Sequence, residues 1–196
     1  MIAIIDYKAG NIRSVENALK RLGAEYVLTA NPETIRRADH VILPGVGEAS
    51  SAMASLEETG LVPVIKSLTQ PVLGICVGVQ LMCSFSEEGG VECMGIFKSK
   101  VTRFPEASGV KIPHTGWNTI SGLRGPLFRN IPEGSFVYYV HSYCPGIFTD
   151  QTVAMTEYAG VRFSGALRRD NFFGTQFHPE KSGPVGAEIL KNFIEL

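Results

Sequence analysis

Cysteine is too sparse and too scattered in this chain to hold a fold together. Cys76, Cys83, Cys93 and Cys144 are the only four among 196 residues. They form neither a CxxC pair nor a compact even-numbered framework, which argues against a disulfide scaffold and a structural zinc site. Most of them therefore read as small buried thiols. An excess of one charge is also lacking. Eighteen basic against nineteen acidic side chains leave a net charge of −1, which removes the footprint of a general nucleic-acid binder while leaving room for a local basic face. No run of about 18 apolar residues is present to span a bilayer. The N-terminal MIAIIDYKAG has no basic leader and too short an apolar stretch for a secretory signal. A cytoplasmic protein that binds neither membrane nor nucleic acid is expected. Low-complexity tracts, charge runs and internal repeats are missing too, which speaks against disorder.

What is present is apolar residues in quantity, 44% of the chain, enough for a substantial core and for one domain over residues 1–196. The first half alternates. Short apolar runs at 2–5, 26–29, 41–43 and 71–75 suit strands. Segments 12–22, 32–38 and 49–68 suit helices, the first carrying Ile12, Val15, Ala18, Leu19 and Leu22 at helical spacing before Gly23. Near-continuous apolar strands joined by helices predict a parallel sheet covered on both faces. Beyond about Gly95 the runs at 101–104, 135–142, 152–157, 161–167 and 172–176 are separated by Gly, Pro and Asp. They predict added strands and hairpins, closed by a helix over 185–193.

Residues 72–82 read VLGICVGVQLM, an apolar strand that meets a helix through Cys76. Gly74 and Gly78 on either side suit a nucleophile elbow, a tight turn that forces its side chain out at the end of the sheet. The positive end of the following helix favours a thiolate. The same turn aims N–H groups, that of Val77 included, at an oxyanion forming on an attacked carbonyl. A lone Cys after an apolar strand is nevertheless more often a core residue, so a partner base has to decide. Of His40, His114, His141 and His178, the first reads as a cap or surface residue before a strand. His178 follows the apolar stretch 172–177 in QFHPEKS, with Pro179 stiffening the loop and Glu180 close behind. Cys76, His178 and Glu180 would supply a nucleophile, a general base and an orienting carboxylate. Taken alone, HPE reads as an exposed turn.

GICVGVQ with the downstream QFHPE resembles the class I, or triad, glutamine amidotransferases over essentially the whole chain, and PGVG at 44–47 is similar to that family's oxyanion strand. The resemblance implies a flavodoxin-like α/β fold, a mostly parallel central sheet flanked by helices with added antiparallel strands. It also implies a glutaminase that needs no metal and no cofactor. Cys76, His178 and Glu180 would be catalytic, and Val46, Gly47 and Val77 would form the oxyanion hole. Gly47, Gln80, Glu88, Ser142 and Tyr143 would hold L-glutamine. Without the resemblance, Glu88 in SEEGG reads as a solvated carboxylate and Gln80 as a helix-surface amide. PGVGEA, PHTGWN at 113–118, YYVHSY at 138–143 and HPEKSG at 178–183 resemble the branch that serves imidazole glycerol phosphate synthase in histidine biosynthesis. That branch implies a heterodimer with a barrel-fold cyclase subunit, which takes up the ammonia to make imidazole glycerol phosphate and AICAR. Asn11, Trp117, Tyr138 and Lys181 match its contact surface, although Trp117 and Tyr138 on their own read as core aromatics. With no synthetase domain attached, the ammonia is expected to be used by another chain. The competing readings are a glutaminase of pyridoxal phosphate synthesis and a binding module that keeps the fold without the chemistry. Val77 and Val79 stand where longer Leu and Met side chains are usual, and Thr115 where Met is common.

Overall fold

The computed structural model describes residues 1–7, 12–45, 47–106 and 110–196. Along the first half run β1 (Ile2–Ile5), α1 (Ile12–Arg21), β2 (Tyr26–Thr29), α2 (Pro32–Arg37), β3 (His40–Leu43), α3 (Ala49–Glu58), α4 (Leu61–Lys66), β4 (Val72–Ile75) and α5 (Val77–Met82). The second half adds β5 (Phe85–Ser86), β6 (Val91–Glu92), β7 (Lys100–Arg103), β8 (His114–Thr119), β9 (Phe136–His141), β10 (Tyr143–Pro145), β11 (Thr152–Tyr158), β12 (Val161–Arg169), β13 (Phe172–Thr175) and α6 (Gly183–Ile194).

Seven strands form the central sheet in the order β11-β12-β13-β4-β3-β1-β2. β2, β1, β3, β4 and β13 are mutually parallel, and β12 and β11 continue antiparallel from β13. The sequences IAII, VLGI and FFGT of β1, β4 and β13 are buried at every position, as a strand covered by helices on both faces requires. α1 buries Val15, Ala18 and Leu19 on one stripe. α2 starts where Asn31 accepts hydrogen bonds from the N–H groups of Glu33 (2.9 Å) and Thr34 (3.0 Å), with Pro32 in its first turn. The α/β class with added antiparallel strands is as expected. No described helix is long and apolar enough to cross a membrane.

Three expectations are corrected. The helix expected over 49–68 is two helices, because Gly60 adopts a left-handed conformation (φ 67°) and turns the chain between them. His40 is neither cap nor surface: it opens β3, is half-buried, and its ring meets Phe193 edge-on at 5.4 Å. Residues 114–119 form a strand that the sequence reading lacks, paired antiparallel with β9 in a separate hairpin. HTGWNT carries few β-branched residues, and its partner lies far along the chain, so local propensity gives little sign of it. A further small sheet, ordered β10-β7-β5-β6, packs beyond α5.

Candidate active site

Cys76 stands at the carboxyl end of β4, the place where open parallel sheets put their sites. Its backbone has φ 54° and ψ −112°, a conformation that L-residues avoid and that costs roughly 1–3 kcal/mol, so that its surroundings have to hold it. They do. The Cys76 N–H donates to the Thr175 carbonyl at 2.8 Å, and the Cys76 carbonyl accepts from Val79 and Gln80 at the start of α5.

The glycines around Cys76 are explained by closeness of backbone. Leu43, Gly74 and Gly174 lie side by side in register across β3, β4 and β13, and α5 sits directly on them. A Cβ on Gly78 would lie 2.0 Å from the Leu43 carbonyl oxygen, one on Gly45 2.3 Å from the Gly78 nitrogen, and one on Gly174 2.1 Å from Val79 Cγ2. The helix therefore begins within contact of the sheet, with the Cys76 side chain held at the junction.

His178 follows β13 and is tied to β9 by its N–H, which donates to the Tyr138 carbonyl at 2.9 Å. Its Nδ1 donates to Glu180 Oε1 at 2.7 Å, and both side chains are buried. His178 Nε2 has no hydrogen-bond partner and is buried, so the nitrogen remote from Glu180 is the one left for chemistry. Burial opposes charge on this imidazole, but the Cys76 side chain, and after it the Glu180 carboxylate, outweigh that and push its pKa up to about 10. At neutral pH His178 carries its proton.

Cys76, Val77 and His178 line one cavity of about 350 Å³ together with Gly47, Gln80, Glu88, Ser142, Tyr143 and Lys181. Gln80 is no surface amide. It is buried, and its Nε2 donates to the Tyr143 carbonyl (3.0 Å) and to Gln176 Oε1 (2.9 Å), while its Oε1 has no partner. Glu88 is half-buried rather than solvated; its Oε2 accepts from the Ala49 N–H at 2.9 Å, and burial raises its pKa. Gly47 is exposed with φ 93°. Val46 and Asn11, read from sequence as oxyanion and contact residues, lie outside the described residues.

Trp117 and Tyr138 are paired across β8 and β9, with ring centroids 6.0 Å apart at 75°. Trp117 is 55% exposed and Tyr138 half-buried, so the core-aromatic reading fails for Trp117. The same outer face carries Phe136, 58% exposed, which sequence reading passed over. Its signal was the alternation in FVYYVH, with positions 137, 139 and 141 turned inward. Gln176 was also missed. Its Nε2 lies 3.8 Å from Cys76 Sγ, and nothing in the pattern of QFHPE sets that glutamine apart from a strand-end polar residue.

The family model described as glutamine amidotransferase class-I matches residues 3–196. The imidazole glycerol phosphate synthase subunit HisH of Bacteroides fragilis (strain YCH46) is 56% identical over 196 residues, covering 100% of this chain and 99% of that protein. The protein of the same description from Yersinia pseudotuberculosis is 45% identical over 197 residues, with 100% and 99% covered. Among solved structures, one titled as a glutamine amidotransferase superposes with a TM-score of 0.75 at 17% identity, covering 100% of this chain and 98% of the other. The structure of PurLQS from Thermotoga maritima gives 0.69 at 18% identity, with 99% and 97% covered.

Proposed function

Because the chain belongs to the class-I glutamine amidotransferase family, we propose that its Cys76–His178–Glu180 cavity is the glutaminase centre of an imidazole glycerol phosphate synthase, feeding ammonia to a separate cyclase subunit. The observation that carries this is the buried His178–Glu180 pair at 2.7 Å, whose His178 lines the same cavity as Cys76, held in a strained turn.

The Cys76 thiolate attacks the side-chain amide carbon of glutamine, and the carbonyl π electrons move to oxygen. The Val77 N–H at the start of α5 would stabilise that oxyanion, together with Gly47, which lines the same cavity. As the tetrahedral intermediate collapses, the C–N bond breaks and protonated His178 supplies the proton that leaves with ammonia. The product is a glutamyl thioester. Neutral His178 then takes a proton from water, whose oxygen attacks the thioester carbon, and glutamate departs with the thiolate restored. Glu180 keeps the imidazole oriented throughout. Half-buried Glu88 is suited to the amino group of the substrate, and unpartnered Gln80 Oε1 leaves one acceptor free in the cavity.

Ammonia released into water at neutral pH is mostly protonated and lost as a nucleophile, so a partner that receives it directly gains. A barrel-fold cyclase is that partner, docking on the face that carries Trp117, Tyr138 and Lys181. Glutaminase assays with and without the cyclase and its nucleotide ligand test the reading. Weak activity alone and strong stimulation by the liganded cyclase are expected, with none in Cys76→Ala. Full activity of the isolated chain refutes partner control, and turnover in Cys76→Ala refutes the site.

A further inference from the structure

Two of the three histidines that the triad does not use, His114 and His141, are buried and joined to each other. His114 lies flat between Tyr139 (ring centroids 4.9 Å) and Tyr158 (3.9 Å), and its Nδ1 is 2.9 Å from His141 Nε2. Three backbone groups determine the direction of every bond in this pair. Asn118 accepts from the Thr119 N–H through Oδ1 and donates from Nδ2 to the Glu157 carbonyl, so Nδ2 is also the donor to His114 Nε2 at 3.3 Å. At the other end His141 Nδ1 faces the Tyr143 carbonyl at 2.8 Å and must carry its hydrogen. His114 Nδ1–H then donates to His141 Nε2, and each ring holds a single proton. Burial favours the same state, lowering the pKa values of His114 to about 4 and His141 to about 3.

The chain continues past Tyr143. That carbonyl also accepts from Gln80 Nε2, and this nitrogen donates again to Gln176 Oε1, which turns Gln176 Nε2 toward Cys76 Sγ at 3.8 Å. We propose that His114, His141 and Gln176 are positioning residues of the glutaminase reaction, holding one N–H on the Cys76 sulfur through the Tyr143 carbonyl and the Gln80 amide. This rests on the glutaminase reading. The need for such a donor is local. Cys76 Sγ also lies 3.9 Å from the Val140 carbonyl oxygen, an acceptor that offers an attacking thiolate nothing, whereas the Gln176 N–H is a donor that such a sulfur can accept from. The ordered chain serves geometry as well, because the carbonyl it grips belongs to the Ser142–Tyr143 edge of the cavity.

The test is the pH dependence of Cys76 alkylation by iodoacetamide on the full chain, with Cys76→Ala as the blank. It needs neither glutamine nor a partner, so its outcome is independent of the glutaminase assay. Gln176→Met matches the native side chain in shape and removes the donor. It is expected to raise the alkylation midpoint by about one pH unit, the scale of a hydrogen bond to a charged group. His114→Phe keeps the stack between the tyrosines but breaks the chain and moves the midpoint the same way by less. His114→Asn restores a donor at the Nδ1 position and returns the midpoint toward wild type. A purely structural role lowers thermal stability and leaves the midpoint in place. An unchanged midpoint in Gln176→Met, or a His114→Phe shift that His114→Asn does not reverse, overturns the proposal.

Discussion

At the scale of the residue, the decisive group is a histidine whose charge is set by two neighbours. Its burial would favour the neutral ring, and Cys76 and Glu180 reverse that, raising its pKa from 6.5 to about 10. Glu180→Gln keeps the shape and removes the carboxylate charge. Turnover should fall by about a hundredfold while remaining measurable, because the proposed nucleophile and oxyanion donors stay in place. The ring pKa read by NMR titration should fall with it. The sign for stability follows from linkage. A folded pKa above the unfolded one contributes stability that is full below pH 6.5 and is lost as pH rises toward 10. Urea unfolding midpoints of the wild type should therefore decline across that window more than those of Glu180→Gln, and parallel curves would contradict the charge assignment. The His-x-Glu spacing was legible in QFHPE because it is local in sequence. That Gln176 two residues earlier also reaches the sulfur was not, since the contact joins two strands.

At the scale of the element, the elbow depends on how closely α5 can approach β3 and β4. Gly→Ala inside a helix ordinarily gains about 1 kcal/mol in propensity. At Gly78 a new Cβ would sit 2.0 Å from the Leu43 carbonyl oxygen, and both atoms belong to backbone that cannot give way without moving a strand or a helix. Overpacking of that kind costs about 1–3 kcal/mol or more, so the clash outweighs the propensity. Gly78→Ala should unfold at lower denaturant concentration than the wild type and lose most glutaminase activity, whereas Gly90→Ala, at an exposed turn with nothing within 4 Å, should retain activity. Equal stability of Gly78→Ala and the wild type would show that α5 does not need the contact. Strand and helix of the elbow were legible from the change of period in VLGICVGVQLM. The reason for its glycines was not, because the atoms they avoid come from β3, beyond the reach of a local pattern.

At the scale of the whole molecule, the outer face of the β8–β9 hairpin exposes Trp117 and Phe136 beside half-buried Tyr138, and the Tyr138 carbonyl is bonded to the N–H of His178, which lines the cavity with Lys181. Exposed aromatics grouped on one face have the composition of a binding hot spot. Trp117→Ala should weaken association with the cyclase by about 2 kcal/mol or more, roughly thirtyfold in Kd, while leaving the thermal transition of the isolated chain in place. Calorimetric titration of the two subunits measures it, and unchanged affinity would remove this face from the interface. The sequence by itself determined the class of fold and singled out the groups proposed to react. Apolar runs of strand and helix period, and the short motifs around Cys76 and His178, are properties of contiguous residues. Only the tertiary structure decided that His114 and His141 share one ordered hydrogen-bond chain, that Gln80 is buried and Trp117 exposed, and that four glycines clear a path for one helix. Each of these depends on which strands lie next to one another, and strand order is fixed by long-range packing that no local stretch of sequence records.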